Sequence, residues 1–251
     1  MKQFWLNFIA LAAVITVNAL ANILPINGQT TGEISNRLNV LFTPAGYVFS
    51  IWGLIYILLG LWVLKGAFKS QRKREVYKST SFMFQISCLL NISWILLWHY
   101  EFFPVSVAVI VGLLISIIII YAKIKQTKYS FFDILPFSVY MGWVSVATVA
   151  NTAYTLNEAG WDGLGISSPI WTIALLLIST ALALGIRYKE SDWIYPLVFI
   201  WAFIGIGVQN EGEESAVVFT AYVLSAVIFI GLFVFRKKKK SSYSSRTLTF
   251  K

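Results

Sequence analysis

Charge is scarce in this sequence. Asp, Glu, Lys and Arg together make up 12% of it, against 58% apolar residues. A soluble domain usually carries about 25% charged residues, so the surface of an ordinary water-soluble fold is excluded. Cysteine and histidine are scarcer still, with Cys88 and His99 the single representatives. One cysteine excludes an intramolecular disulfide, and one histidine leaves no Cys/His cluster for a metal. Paired carboxylates, nucleophile–base pairs and phosphate-binding glycine loops are also missing, so the chain is not read as an enzyme.

What the sequence has instead is apolar runs of membrane-spanning length. Eight are legible, at about 4–24, 46–67, 80–99, 103–122, 135–157, 168–186, 192–209 and 215–235. They predict an all-α integral membrane protein of eight spans. The first run contains Ala19-Leu20-Ala21, which resembles a signal-peptide cleavage site. The run is long for a signal and only Lys2 precedes it, so a retained helix is expected. Residues 25–43 are polar and rich in Asn, Thr and Gly, a loop long enough to act as a lid. Ser168-Pro169 supplies a cap and first turn for the sixth span. The fourth span, VAVIVGLLISIIII, is nearly featureless and is expected to face lipid.

The net charge of +9 is a matter of distribution. Lys2, six basic residues between 65 and 78, Lys123, Lys125, Lys128, Arg187, Lys189 and seven in the tail share one side of an eight-span chain. Arg37 alone falls on the other, beside Glu33, Glu101, Glu158, Asp162, Glu211, Glu213 and Glu214. The positive-inside rule then puts both termini in the cytoplasm of a cell-membrane protein. The tail RKKKK is expected to touch anionic headgroups. A nucleic-acid role is excluded, because the basic surplus is accounted for by topology.

Polar residues in the fifth span are not scattered. Tyr140, Trp143, Ala147, Asn151 and Tyr154 step by three or four and so share one helical face. An amide at mid-membrane depth lacks partners in lipid, so this face looks inward. Trp52 and Tyr56 form a second such stripe, and Asn91, Trp94 and Trp98 a third. Read from the residues, interhelical hydrogen bonding stands slightly ahead of ligand binding as their purpose. Flat indole walls around a few amides equally suit a planar apolar ligand.

The stretch LPFSVYMGWVSVATVANTAYTLN resembles the fifth helix of the TspO/MBR family, the tryptophan-rich sensory proteins. Pro136, Trp143, Val144, Ser145, Ala147, Thr148, Asn151, Leu156 and Asn157 stand at the positions of its P-x6-W-V-S-x-A-T-x-x-N…L-N pattern. TPAGYVFSIWGLIY resembles the second-helix signature through Pro44, Gly46, Val48, Phe49, Trp52 and Tyr56, with one residue fewer between Phe49 and Trp52 than the family has. On that register Trp52 and Tyr56 are the more reliable inward pair, and Phe49 is displaced. LLNISWILLW resembles the third-helix stretch. The resemblance covers residues 1–157, a five-helix bundle; three further helices follow over 158–235, then the basic tail 236–251.

The resemblance implies a pocket made by Trp52, Tyr56, Asn91, Trp94, Tyr140, Trp143, Ala147 and Asn151, and it moves ligand binding ahead of packing. The implied ligand is a tetrapyrrole such as a porphyrin or haem, or another apolar molecule, with no required cofactor. The family's sterol pattern needs a basic residue soon after a tyrosine, and TLNEAGWDG after Tyr154 has none. The expected role is that of a sensor or carrier. A permease subunit and a ligand-free regulator of a membrane partner are the rivals, and family-associated porphyrin breakdown finds no acid–base catalyst here. Expected partners are the lipid bilayer, the apolar ligand and a second copy of the chain. Outside the pocket, Cys88 reads as a small buried hydrophobe, His99 as an interface residue, and Asp133 as a solvated helix-start carboxylate. Trp5, Trp161, Trp171 and Trp193 read as interfacial.

Overall fold

A computed structural model describes residues 1–24 and 26–235. The tail expected to touch headgroups lies outside the described residues. The described chain is helical throughout: α1 Lys2–Ile23, α2 Thr31–Asn36, α3 Ile51–Lys65, α4 Lys69–Arg72, α5 Glu75–His99, α6 Phe103–Lys125, α7 Phe131–Glu158, α8 Ser168–Glu190, α9 Ile194–Gln209 and α10 Ser215–Val234. A 3₁₀ turn, Gly46–Ser50, leads into α3. Seven of these segments are long and apolar enough to span a bilayer, and α9 is a shorter apolar helix of 16 residues. At about 1.5 Å per residue it is some 24 Å long, just short of the hydrocarbon thickness.

Five long helices close a ring. α1 packs on α5, α5 on α6, α6 on α7, α7 on α3, and α3 back on α1. The remaining three attach through α9, which lies against the outside of α7 and the 3₁₀ turn and carries α8 and α10. All eight long helices contribute to one connected apolar core, from Leu11 to Ile228. Close approach at the joints requires glycine. A Cβ on Gly142 would stand 2.9 Å from Val198 Cβ, and one on Gly205 2.1 Å from Val48 Cγ2.

Several local expectations change. α5 begins at Glu75 rather than 80, because an acidic residue in the first turn favours the helix N-terminus and lengthens it into the basic loop. The cap of α8 is Ser167, one residue earlier than expected, with Pro169 still in the first turn. α6 does not simply face lipid: Ser106, Ile110, Leu113, Ser116 and Ile117 are buried between α5 and α7. Its lack of polar marks hid that face, since small hydroxyls satisfy themselves on their own helix. Ser116 Oγ donates to Leu113 O at 2.6 Å.

Asp133 is fully buried, not solvated. Lys65 Nζ lies 2.8 Å from one carboxylate oxygen and Arg74 Nη2 2.7 Å from the other. It also closes a capping box with Ser130. A buried carboxylate persists only when its lone pairs are filled, and these partners bind the starts of α5 and α7 to the end of α3. Asp192 joins α6, α7 and α9 in the same way. It accepts from Tyr121 Oη at 2.8 Å and from Ser138 Oγ, and its other oxygen caps the first N–H groups of α9.

Candidate functional site

The ring interior gathers the inward stripes. On α7 the stripe of Tyr140, Trp143, Ala147, Asn151 and Tyr154 meets Asn91 and Trp94 of α5 and Trp52 of α3. Asn91 Nδ2 donates to Tyr140 Oη at 3.0 Å, and Trp94 Nε1 donates to Asn151 Oδ1 at 2.8 Å. Asn151 also exchanges bonds with Ser106 of α6, at 3.1 and 3.2 Å. These two amides therefore do bond across helices, and they tie three walls of the ring together.

Trp52 is the centre of the cluster. Its ring is stacked on Tyr56 at 5.7 Å, tilted against Trp94 at 5.8 Å, and edge-on to Tyr140 and Trp143 at 6.1 and 6.2 Å. Phe49 is not displaced from this group: it stands edge-on to Trp143 at 5.8 Å. The 3₁₀ turn explains the shortened spacing. With about three residues per turn, Phe49 and Trp52 line up where an α-helical register would separate them.

Two spaces flank Trp52. On the Ala147 side, among Trp94, Trp98, Trp143 and Asn151, only about 40 Å³ is open. That is room for a few water molecules but not for a ring-fused ligand. Across Trp52, between α1, α2 and α3, lies a chamber of about 420 Å³, within the range of small-molecule sites. Asn18, Asn22, Phe49, Trp52, Tyr56 and Ile95 are among its walls. The hydroxyl of Tyr56 and the indole N–H of Trp143 are buried with no hydrogen-bond partner among the described residues. Of the eight expected site residues, then, Trp52 and Tyr56 face the large chamber. Trp94, Trp143, Ala147 and Asn151 line the small space, and Asn91 and Tyr140 link the walls.

Sequence reasoning misses Asn18 and wrongly sets Phe49 aside as displaced. Asn18 Nδ2 donates to Asn91 Oδ1 at 2.9 Å, extending the amide chain from α1 through α5 to Tyr140. The signal was present: Asn7, Asn18 and Asn22 interrupt an apolar run on one helical face, the same reasoning that singled out Asn151.

Residues 26–43 roof this end of the ring. Thr30 and Glu33 form a capping box that starts α2, and Thr31 and Gly32 reach the chamber wall. His99 is not an interface residue. It is 1% exposed and clasps the roof, with Nε2 2.9 Å from Thr31 Oγ1, Nδ1 3.2 Å from Ile26 O, and its own carbonyl accepting from Asn27 Nδ2. Arg37 pairs with Glu101 at 2.5 Å on the outside. That bond holds the Glu101 carboxyl below, and the Arg37 guanidinium above, their ordinary values.

The family model for TSPO-like proteins matches residues 4–234. The chain belongs to the TSPO-like protein family. The matched stretch runs through α8, α9 and α10, beyond the residues whose motifs show the resemblance. No curated protein and no solved structure matches the chain. As a TSPO-like protein it is a multi-pass membrane protein that sits in a lipid bilayer. Its ring holds the aromatic and amide side chains of α3, α5 and α7 as one cluster. α9 supplies support that a five-helix bundle would lack: Trp201 Nε1 donates to Val48 O at 3.1 Å, Asn210 Nδ2 to Leu41 O at 3.0 Å, and Gly205 O accepts from Ala45 N at 3.0 Å. The roof and the 3₁₀ turn are thus anchored on the C-terminal third.

Proposed function

We propose that this TSPO-like protein binds an apolar, ring-fused small molecule in the chamber between α1, α2 and α3, as a sensor or carrier without catalysis. The helices of residues 1–157 hold the ligand, and those of 158–235 brace the roof. The observation that carries the reading is a roofed chamber of about 420 Å³ with one face of Trp52 as its wall. Burial and stacking on an indole supply affinity, and the Asn18 and Asn22 amides supply orientation. The macrocycle of a tetrapyrrole suits such a wall. Its carboxylates do not, because the chamber lining contains no Lys or Arg, and no His, Cys or Met stands there to ligate a metal. An uncharged tetrapyrrole-like or other ring-fused molecule is therefore the ligand class.

The test is tryptophan-fluorescence quenching of the purified chain against esterified and free-acid porphyrins. The ester is expected to bind more tightly than the acid, and Trp52→Ala to weaken it at least tenfold, or about 1.4 kcal/mol. Equal affinity in wild type and Trp52→Ala removes the chamber as the site.

A further inference from the structure

α7 has a second polar face, and it opens on a different cavity. About 380 Å³ lies at the acidic end between α7, α8 and residues 39–42, outside the ring. α9, rather than α8, packs along α7, which leaves space between α7 and α8. Val149, Leu156 and Leu175 give it apolar walls, and Thr148 and Thr152 stand one helical turn apart along it.

The lining carries neutral amides and hydroxyls, from Asn39, Asn157, Ser168 and Thr172, and one charged group, the Asp162 carboxylate. Thr148 Oγ1 donates to Val144 O at 2.7 Å and Thr152 Oγ1 to Thr148 O at 2.8 Å. Their protons are spent on the helix, so toward the cavity these hydroxyls can only accept. At the mouth, one oxygen of Asp162 accepts from Leu164 N at 2.9 Å, and the other makes no hydrogen bond among the described residues. Trp161 and Trp171 stand beside it with ring centroids 5.3 Å apart, and Trp171 is fixed by its indole N–H donating to Gly163 O at 2.8 Å. Among the described residues no Lys or Arg lines the cavity. The carboxylate and the indole faces at the mouth therefore favour a cation, and no positive charge stands there to hold an anion.

We propose that this cavity is a second site, separate from the ring chamber, and that it binds a lipophilic amine. The ammonium lies at the mouth against Asp162 and the two indoles, and the apolar body extends between α7 and α8 past Thr152. This proposal does not depend on what the ring chamber holds.

The experiment is equilibrium dialysis of the full chain in nanodiscs of zwitterionic lipid, corrected with protein-free discs. Three probes share a naphthyl ring: 1-naphthylmethylamine, 1-naphthalenemethanol and 1-naphthylacetate. The amine is expected to bind at least about tenfold more tightly than the carboxylate. Asp162→Asn should weaken the amine about fivefold and leave the alcohol unchanged, the size expected of an exposed ion pair with a cation–π contribution. Leu175→Trp from the α8 side and Thr152→Leu from the α7 side should each fill the cavity and abolish binding, whereas Trp52→Ala in the ring should not. Equal binding of amine and carboxylate overturns the proposal. So does amine binding that survives both filling variants or disappears in Trp52→Ala.

Discussion

Asn151 shows how one side chain serves the ring. Its oxygen accepts from the Trp94 indole, and its amide group meets Ser106, so three helices share one polar group in an apolar interior. Replacing it with Leu preserves volume and leaves the Trp94 N–H without an acceptor. An orphaned buried donor costs about 1–3 kcal/mol. Asn151→Leu is therefore expected to destabilise the folded bundle by that amount in a denaturant titration, with ligand affinity per folded molecule little changed. A variant that unfolds like wild type but binds no ligand would assign Asn151 to recognition instead. Trp52→Ala is expected to lower both affinity and stability, since its ring borders the chamber and also packs on Tyr56, Trp94, Tyr140 and Trp143.

At the scale of elements, the roof over the chamber is held by charge at its rim. Arg37 holds Glu101 below its ordinary value, and the Thr30 backbone N–H and hydroxyl do the same for Glu33 at the start of α2. Both carboxylates are depressed on folding. Their contribution is present in full above the unfolded value of about 4.3 and is lost as pH falls through the lower folded values. As these carboxylates protonate, ligand dissociation is thus expected to quicken below about pH 4. Glu101→Gln should quicken it at neutral pH and flatten the acid response. Stopped-flow release at a series of pH values reads both, and an unchanged neutral rate in Glu101→Gln would show that the latch does not limit release. The other anchor of the roof is α9. A Cβ at Gly205 would collide with Val48 Cγ2 on a stiff branched side chain that is fully buried. Gly205→Ala is expected to cost about 1–3 kcal/mol of stability by overpacking. It should also raise protease cutting within residues 37–45, whereas Gly53→Ala, which meets open space, should do neither.

For the whole molecule, the charges of the loops sort by end. Lys65, Arg74, Lys125 and Arg187 gather at one end, and Arg37 alone stands at the other with Glu33, Glu101 and Glu213. Both termini are accordingly expected in the cytoplasm. Lys69→Cys should resist an impermeant thiol reagent in intact cells and Glu213→Cys should react; the reverse pattern would invert the topology. The number and order of the long apolar helices, seven of spanning length and the shorter α9, was legible in the sequence because apolar length is a local property. So was the inward direction of Tyr140, Trp143 and Asn151, because helical period alone places polar groups on one face. The buried state of Asp133 and His99 was not legible, since their partners Lys65, Arg74 and Thr31 lie on other elements far along the chain. Nor was the burial of one face of α6, whose serines bond to their own helix and leave no periodic mark. The sequence by itself determined an eight-helix membrane bundle with an aromatic, amide-bearing interior. Only the tertiary structure decided where space remains, because an open volume depends on how side chains from separate helices meet. Trp52 against Trp143 nearly closes one side of the ring, the roof and α1 leave a chamber on the other, and the packing of α9 rather than α8 on α7 leaves a second cavity outside.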